Sequence, residues 1–318
     1  MSLQYRTATV FGGSGFLGRH LVRRLAKAGC LVRIATRDRV GAEFLRTTGM
    51  VGQVTPMSCT VHSDASVATL VEGADIVVNL IGTLAPSGRD SFHSVHAEAA
   101  GRIAAQAKAA GAQRLLHVSA LGADPAGPSD YARSKAAGEA AVLAAFPGAT
   151  IFRPSIVFGP EDHFFNRFAG MARVAPMLPL FGGGETKFQP VYVGDVADAM
   201  MAALQTAASQ GQIYELGGPR PYSFRELMQL MLQVTKRSKP LVSLPWGIAS
   251  LMGAFLQFAP GTPLSPDQVR QLQRDNVLTG AKPGLAQLGL TPTCAEVILP
   301  TYLARFRVGG QFAGVRRA

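Results

Sequence analysis

The sequence has 318 residues and a formal net charge of +11, with 47 % hydrophobic and 16 % charged residues. This composition excludes a disordered chain, and the length suits one large α/β unit or two closely joined domains. Basic and aromatic residues are not interleaved along any one element, so nucleic acid is not the partner that we expect for the positive charge.

Short apolar runs alternate with helical patterns over the first half of the chain. The predicted strands are Thr7–Phe11, Leu31–Thr36, about Gln53–Met57, Asp75–Ile81, Arg114–Ser119 and Thr150–Pro154. The predicted helices are Phe16–Ala28, Gly41–Thr48, Ser91–Ala110 and Tyr131–Ala145. Strands that alternate with helices of this length indicate βαβ units, so we predict an α/β fold with a Rossmann-type doubly wound parallel sheet.

The pattern changes after Pro154, where proline and glycine become frequent. A strand near Val191, a helix over Asp195–Ala207 and a strand over Ile213–Leu216 precede a mainly helical tail. We predict a Rossmann domain over residues 1–160 that also receives about 188–216. A smaller, mainly helical substrate or partner domain would then comprise residues 161–187 and 217–318.

A glycine-rich turn follows the first predicted strand and opens the first predicted helix. Gly12, Gly15 and Gly18 stand in GxxGxxG spacing. The first glycine allows a tight turn, the second lets a pyrophosphate approach the helix N-terminus, and the third permits close helix–strand packing. We therefore predict that a dinucleotide contacts Gly12, Ser14, Gly15, Phe16, Leu17, Gly18 and Arg19.

The end of the second predicted strand distinguishes the two nicotinamide cofactors. An acidic residue there would accept the ribose 2′-hydroxyl of NAD(H), whereas an arginine would pair with the 2′-phosphate of NADP(H). Arg37 occupies the predicted strand end and Arg19 offers a second contact. We predict a preference for NADP(H); NAD(H) is the alternative, because Asp38 is one residue away.

A YxxxK spacing opens the last helix of the first half. Tyr131 and Lys135 lie at i and i+4, so they share one helix face, and we expect the lysine to lower the pKa of the phenol. Ser119, at a strand end, is the candidate for a third catalytic group. The alternative is that its hydroxyl only caps the strand.

These motifs resemble the extended and atypical short-chain dehydrogenase/reductase (SDR) superfamily over roughly residues 5–220. Residues 146–169 together with 187–197 are most similar to the SDR-type accessory subunits of respiratory complex I and their bacterial relatives. The resemblance implies an NADPH held mainly for structure, in a protein docked beside the membrane arm.

The resemblance also assigns backbone contacts. The ribose would lie against Leu80, Ile81 and Gly82, the nicotinamide beside Tyr131 and Lys135, and its carboxamide near Pro154, Ser155 and Val157. The chain departs from the superfamily in two places. Ala120 and Leu121 stand where extended SDR enzymes carry a substrate-binding Ser or Thr, which puts turnover in doubt. Thr60 stands where many relatives have an Asp near the adenine, which weakens one cofactor contact.

The uncharged stretch Leu241–Phe258 has three interpretations: a buried or protein-docking helix, an interfacial segment, or a transmembrane helix. His93 and His96 have a spacing that can bind metal, but without nearby ligands we interpret them as surface or capping residues, and we expect no metal site. The three cysteines are far apart and no signal-peptide pattern begins the sequence. We expect a cytoplasmic protein, with peripheral attachment to the inner membrane as the alternative.

Two functions remain open. The first is an NADP(H)-containing accessory or assembly protein with little turnover, whose partners are complex I subunits or the membrane surface. The second is an NAD(P)-dependent oxidoreductase, epimerase or dehydratase that uses Tyr131 and Lys135 on a small carbonyl or nucleotide-sugar-like substrate.

Overall fold

The computed structural model describes residues 4–257 and 264–310, which divide into two compact units. The first unit contains the described residues up to Pro154, together with Val196–Leu216 and Gly280–Leu290. The second contains Ser155–Asp195, the described residues of Gly217–Thr279, and those from Thr291 onward.

The elements up to Pro154 alternate between strands and helices. In chain order they are β1 (Thr7–Phe11), α1 (Phe16–Lys27), β2 (Leu31–Thr36), β3 (Val54–Ser58), α2 (Asp64–Val71), β4 (Ile76–Asn79), α3 (Ala99–Ala109), β5 (Arg114–Val118), α4 (Asp130–Ala145) and β6 (Thr150–Pro154). A 3₁₀ helix covers Val40–Thr48, and a π-helical turn over Ser94–Glu98 leads into α3.

The remaining elements are shorter. They are β7 (Val157–Phe158), α5 (Phe165–Val174), β8 (Leu178–Phe181), β9 (Lys187–Phe188), β10 (Val191–Tyr192), α6 (Val193–Gln205), β11 (Ile213–Leu216), β12 (Tyr222–Ser223), α7 (Phe224–Thr235), β13 (Leu241–Leu244), α8 (Trp246–Leu256), α9 (Pro266–Leu272) and α10 (Ala295–Leu303).

The first unit is built on a seven-stranded sheet with the order β3-β2-β1-β4-β5-β6-β11. Its neighbouring strands are parallel throughout. This strand order confirms the predicted doubly wound fold. β1 and β4 are neighbours, with Phe11 opposite Asn79, so the loops that follow these two strands lie side by side. The strand order reverses at this point, which is where such sheets bind their ligands.

Continuous apolar strands and small residues on the helices form the core of the first unit. All four residues of β4 are buried, as its unbroken Ile-Val-Val run predicts. The alanines of α3 allow that helix to approach the sheet closely, and Ile103, Val77 and Leu115 are almost fully buried there. Each such side chain contributes roughly 1.5–3 kcal/mol by leaving water.

The second unit has its own core, which is rich in aromatic side chains. Phe158, Phe165 and Phe224 are buried with the apolar faces of α7 and α10. Short strand pairs, β7 with β10, β8 with β13 and β9 with β12, frame this core. Ser223 and Glu226 form a capping box that starts α7.

The unit boundaries differ from the predicted ones in three places. The first unit ends at Pro154 instead of residue 160, and its returning segment begins at Val196 instead of about 188. Gly280–Leu290 also belongs to the first unit, which the sequence did not suggest. Its backbone completes the sheet edge, since Glu215 N–H donates to Pro283 O at 2.9 Å.

Two local elements also differ from the prediction. The helix α2 was not predicted; Ser63 caps it by accepting a hydrogen bond from Ser66 N–H. The stretch Leu241–Phe258 divides at Pro245 into β13 and α8, and Phe258 lies outside the described residues. Within the described ranges, no helix is both long enough and apolar enough to span a membrane.

Candidate dinucleotide site

Three glycines, two between β1 and α1 and one in the first turn of α1, lie where the backbone passes close to its neighbours. Gly12 has φ of 78°, a left-handed conformation that side chains disfavour, and a Cβ there would lie 3.2 Å from the Leu80 carbonyl carbon. A Cβ on Gly18 would stand 2.3 Å from Gly12 O, inside van der Waals contact. Gly15 N–H donates to Gly12 O at 3.1 Å and closes the turn. The GxxGxxG spacing therefore forms a tight strand–turn–helix connection.

The N-terminus of α1 differs from those of four other helices. Ser63, Ser129, Ser223 and Ser265 accept backbone hydrogen bonds at the starts of α2, α4, α7 and α9. Within the described residues, α1 begins after Gly15 with no side-chain cap and with no acidic residue in its first turn. The positive end of this helix dipole is thus available to an anion, which suits a pyrophosphate.

Arg19 lies against the glycine turn. Its guanidinium donates to Ser14 O at 3.3 Å and to Gly15 O at 3.4 Å, and it stacks 5.2 Å above the Phe44 ring. These contacts hold a cation beside the helix N-terminus.

The two residues that bear on cofactor selectivity, Arg37 and Asp38, directly follow β2. Asp38 caps its own loop, because its Oδ1 accepts from Gly41 N–H at 2.9 Å. Arg37 is 81 % exposed, and its Nη1 donates to Asp90 Oδ2 at 2.6 Å. Thr60, after β3, is exposed, and its N–H donates to Ser66 Oγ at 3.1 Å.

The loop after β4 is fixed by Asn79. Its Oδ1 accepts from Ile81 N–H at 3.0 Å, and its Nδ2 donates to His117 Nδ1 at 3.2 Å. A Cβ on Gly82 would come within 3.2 Å of Lys135 Nζ. The predicted segment Leu80–Gly82 therefore passes between the glycine turn and the lysine of α4.

Ser129 caps α4, and the i, i+4 spacing puts Lys135 and Tyr131 on one side of that helix. Lys135 is buried, and its Nζ donates to Val118 O at 3.4 Å and lies 5.8 Å from the centre of the Tyr131 ring. Burial lowers the pKa of Lys135 to about 8, while the nearby Glu139 carboxylate opposes this shift. Burial raises the pKa of Tyr131 to about 12. The phenol pKa thus shifts in the opposite direction to the expected one, and burial is the cause.

His96 is buried against this pair, which corrects its interpretation as a surface or capping residue. Its Nε2 accepts from Thr83 N–H at 3.0 Å, so the ring proton resides on Nδ1, which donates to Ser134 Oγ at 2.9 Å. Ser134 donates in turn to Tyr131 O at 2.8 Å. Burial, followed by the charge of Lys135, lowers the pKa of His96 to about 3. The neutral imidazole therefore ties the loop after β4 to the Tyr–Lys helix.

Three buried side-chain atoms lack a hydrogen-bond partner among the described residues: Arg114 Nε, Ser119 Oγ and His117 Nε2. The last two lie on or directly after β5, toward the carboxyl edge of the sheet. Leaving such a group unpaired costs about 1–3 kcal/mol. Since Asn79 donates to His117 Nδ1, the unpaired Nε2 carries a proton. The ribose hydroxyls and the carboxamide of a nicotinamide nucleotide offer both donors and acceptors, so the chemistry of these atoms fits such a group.

The remaining predicted contacts divide between the units. Pro154 ends β6 in the first unit, and its carbonyl accepts from Leu121 N–H at 2.9 Å. Ser155 and Val157 belong to the second unit, where Ser155 Oγ donates to Asn276 Oδ1 at 2.6 Å. His93 lies 3.6 Å from Glu98. In the part of the chain that is described, no three His, Cys, Asp or Glu side chains are placed to hold a metal ion.

The strand–glycine–helix turn, the open helix N-terminus and the Tyr–Lys pair on α4 are the elements of a nucleotide-dependent SDR-like fold. The chain belongs to the NAD dependent epimerase/dehydratase family, whose sequence model matches residues 8–217. The predicted superfamily is thereby confirmed, and the family description implies a nicotinamide dinucleotide at this site.

The relatives divide between respiratory subunits and enzymes. The chain is 38 % identical to the mitochondrial NADH dehydrogenase [ubiquinone] 1 alpha subcomplex subunit 9 of Arabidopsis thaliana over 315 residues, which covers 95 % of this chain and 78 % of that one. It is 32 % identical to the ceramide reductase of Caulobacter vibrioides over 238 residues, covering 74 % and 73 % of the two chains. A dTDP-glucose 4,6-dehydratase from Streptomyces venezuelae, with NAD and TYD bound, shares the fold with a TM-score of 0.70 at 19 % identity, covering 93 % and 95 %.

Proposed function

We propose that this protein is an NADP(H)-holding accessory protein of the respiratory complex I type, in which the cofactor serves structure or assembly. The observation that carries the proposal is the similarity to a complex I subunit along 95 % of the chain, which includes the second unit as well as the Rossmann unit. A similarity confined to the cofactor site would have indicated only that the two proteins bind the same kind of nucleotide.

The preference for NADP(H) is supported by the charges at the end of β2. Arg37 extends from the strand end, and a guanidinium can pair with a 2′-phosphate in a planar, bidentate manner. Asp38 would have to accept the 2′-hydroxyl of NAD(H), but its carboxylate already caps the Gly41 backbone. These two residues therefore favour the phosphorylated cofactor.

Low turnover is supported by the residues around Tyr131. Burial raises the pKa of Tyr131 to about 12, so the phenol is a poor base for the oxidation of an alcohol. Ala120 and Leu121 have no side-chain donor for a substrate carbonyl. Loss of one such donor costs a factor of about 100–1,000 in rate.

The second unit offers a surface for a partner. The exposed side of α8 carries Ile248, Leu251 and Phe255, which are 50 %, 60 % and 71 % exposed and stand at i, i+3 and i+7. The helix contains no charged residue, while Ala249 and Gly253 on its other side are buried. A stripe of this kind resembles the apolar anchor of a protein–protein contact, and we assign it to subunits of the respiratory complex.

The test is native purification of the tagged chain from its own cells. We expect respiratory complex subunits to copurify, with the chain in the membrane fraction. Leu251→Asp should remove them, whereas Ser250→Asp, at an exposed position of α8 outside the stripe, should retain them at a comparable melting temperature. Purification of the wild-type chain alone from the soluble fraction would contradict the assignment, and a cytoplasmic protein without this partner would remain.

A second candidate function is an NADPH-dependent reductase of a carbonyl group. Ser119 supports it, because its buried and unpaired hydroxyl follows β5 at the carboxyl edge of the sheet, and the Caulobacter relative is a reductase. Under our proposal the purified chain turns over aldehydes, ketones, nucleotide sugars and oxidised ceramides near the background rate. A kcat of roughly 1 s⁻¹ or more, lost in Tyr131→Phe, would favour the reductase instead.

A further inference from the structure

Asp90 gathers two basic side chains at the edge of the sheet. Its Oδ2 accepts from Arg37 Nη1 at 2.6 Å and its Oδ1 lies 2.8 Å from His62 Nε2. Arg37 follows β2 and His62 follows β3, and these strands are neighbours in the sheet. The carboxylate thus lies outside the carboxyl ends of two strands, where open α/β sheets bind their ligands.

The backbone holds Asp90 in this position. Asp90 and Ser87 exchange two backbone hydrogen bonds, at 2.9 and 3.0 Å, and Gly88 between them has φ of 57°. Two residues beyond Asp90, the Phe92 ring stacks on His96 with centroids 5.7 Å apart. The turn from Ser87 to Asp90 is therefore closed by its own backbone and followed by a packed ring. The Asp90 side chain is only 26 % exposed, whereas that of Arg37 is 81 % exposed.

The carboxylate of Asp90 is in its charged form. The hydrogen bond from His62 is the largest cause that lowers its pKa, and the charge of Arg37 acts in the same direction. A 2′-phosphate carries up to two negative charges, and it would seek the same guanidinium. Two anions at one arginine repel each other, so they cannot both be stabilised fully by it.

We propose that Asp90 is a selectivity-determining residue, an internal anion that competes with the cofactor 2′-phosphate for Arg37. NADP(H) then binds in exchange for the Asp90 contact, whereas NAD(H), which has no 2′-phosphate, leaves the Asp90–Arg37 pair intact. The inference rests on the proposed NADP(H) site and adds to it the group that limits affinity there.

Calorimetric titration of the purified full chain with NADPH and with NADH tests the competition. Asp90→Asn should tighten NADPH binding by roughly three- to tenfold, the size expected when a partly exposed ion pair no longer competes, and leave NADH unchanged. The gain should shrink at high salt, because ions screen the contact. Asp64→Asn, which removes a more exposed carboxylate paired with Arg102, is the control and should change neither affinity.

The double variant separates this inference from the function on which it rests. In an Arg37→Gln background, Asp90→Asn should tighten NADPH binding less than it does in the wild type, because the guanidinium for which both anions compete is gone. Weaker or unchanged NADPH binding in Asp90→Asn, while Arg37→Gln alone still weakens it, would overturn the role of Asp90 and leave the NADP(H) site standing. Insensitivity of NADPH binding to Arg37→Gln alone would overturn the phosphate contact itself.

Discussion

The two ends of the candidate cofactor site are built on opposite principles. After β2 and β3, Arg37 and His62 contact Asp90 near water, where each contact is weak and open to exchange. Around the first turns of α4, Lys135 and His96 are buried, and desolvation shifts their pKa values to about 8 and 3. Selectivity at the exposed end is therefore adjusted in small steps, whereas the buried end is governed by large desolvation energies that a single substitution changes strongly.

The largest effect is expected from the ion pair between β6 and α4. Arg153 donates to both oxygens of Glu139, at 2.8 and 2.6 Å, and the pair is mostly buried. Glu139→Gln removes the carboxylate that is hydrogen-bonded to the guanidinium and leaves only the charge of Glu215 near it. The free energy of unfolding should therefore fall by about 3 kcal/mol in urea titrations. Asp64→Asn, in an exposed pair, should cost less than about 1 kcal/mol. Equal losses would show that burial does not strengthen the Glu139–Arg153 pair relative to an exposed one.

The buried Lys135 should lower the free energy of unfolding by about 3 kcal/mol at neutral pH, and by less as the pH rises. Its pKa of about 8 in the folded protein lies below the 10.5 of a free lysine, so the unfolded chain binds more protons between these values. The cost of burying the ammonium is complete below pH 8 and is relieved as pH rises toward 10.5. Lys135→Met should therefore be the more stable protein at pH 7, with an advantage that disappears at high pH.

Thermal unfolding from pH 6 to pH 11 measures this advantage. Lys27→Met, at an exposed position on α1, serves as the matched control and should show no such pH dependence. A constant difference between wild type and Lys135→Met over this range would show that the lysine is solvated in the folded protein.

The smallest of these effects concerns cofactor choice. Arg37→Gln removes one charged phosphate contact, for which about 1.5–3 kcal/mol is typical, so NADPH should bind at least tenfold more weakly while NADH changes little. Arg23→Gln, an exposed arginine on α1, is the control. Equal weakening of both cofactors would indicate that Arg37 supports the fold of the loop and does not select the phosphate.

The sequence predicted the first unit well because each element had its own local signal. Thr7–Phe11, Leu31–Thr36 and Thr150–Pro154 coincide with the observed strands, since short, largely apolar runs bounded by turns define them. The helix α2 was missed because its short Ala- and Val-rich pattern has little amphipathic periodicity, although Ser63 followed by Asp64 was an available capping signal.

The site was predicted less completely than the fold. The glycines and the Tyr–Lys pair have fixed spacings in the sequence, so they could be found. Asn79, His96 and His117 could not, because their roles arise from contacts across adjacent strands and between a loop and a helix. The raised pKa of Tyr131 was also beyond reach, since burial and not spacing determines it. Contacts made over long sequence separations carry no local pattern.

The order of the strands in the sheet affects how the chain folds during its synthesis. β11 pairs with β6 at one edge of the sheet, and the segment Gly280–Leu290 contacts β11. Both segments follow β6 in the chain, so the inner strands are translated long before this edge of the sheet is complete. The buried Arg114 likewise donates to the carbonyls of Ala203 and Leu204 at the end of α6. A nascent chain that ends at Pro154 would therefore have β6 as an exposed edge strand, which can pair with another copy of the chain. Fragments that stop at the apparent domain boundary should aggregate during expression, and only chains extended through about residue 290 should complete the sheet.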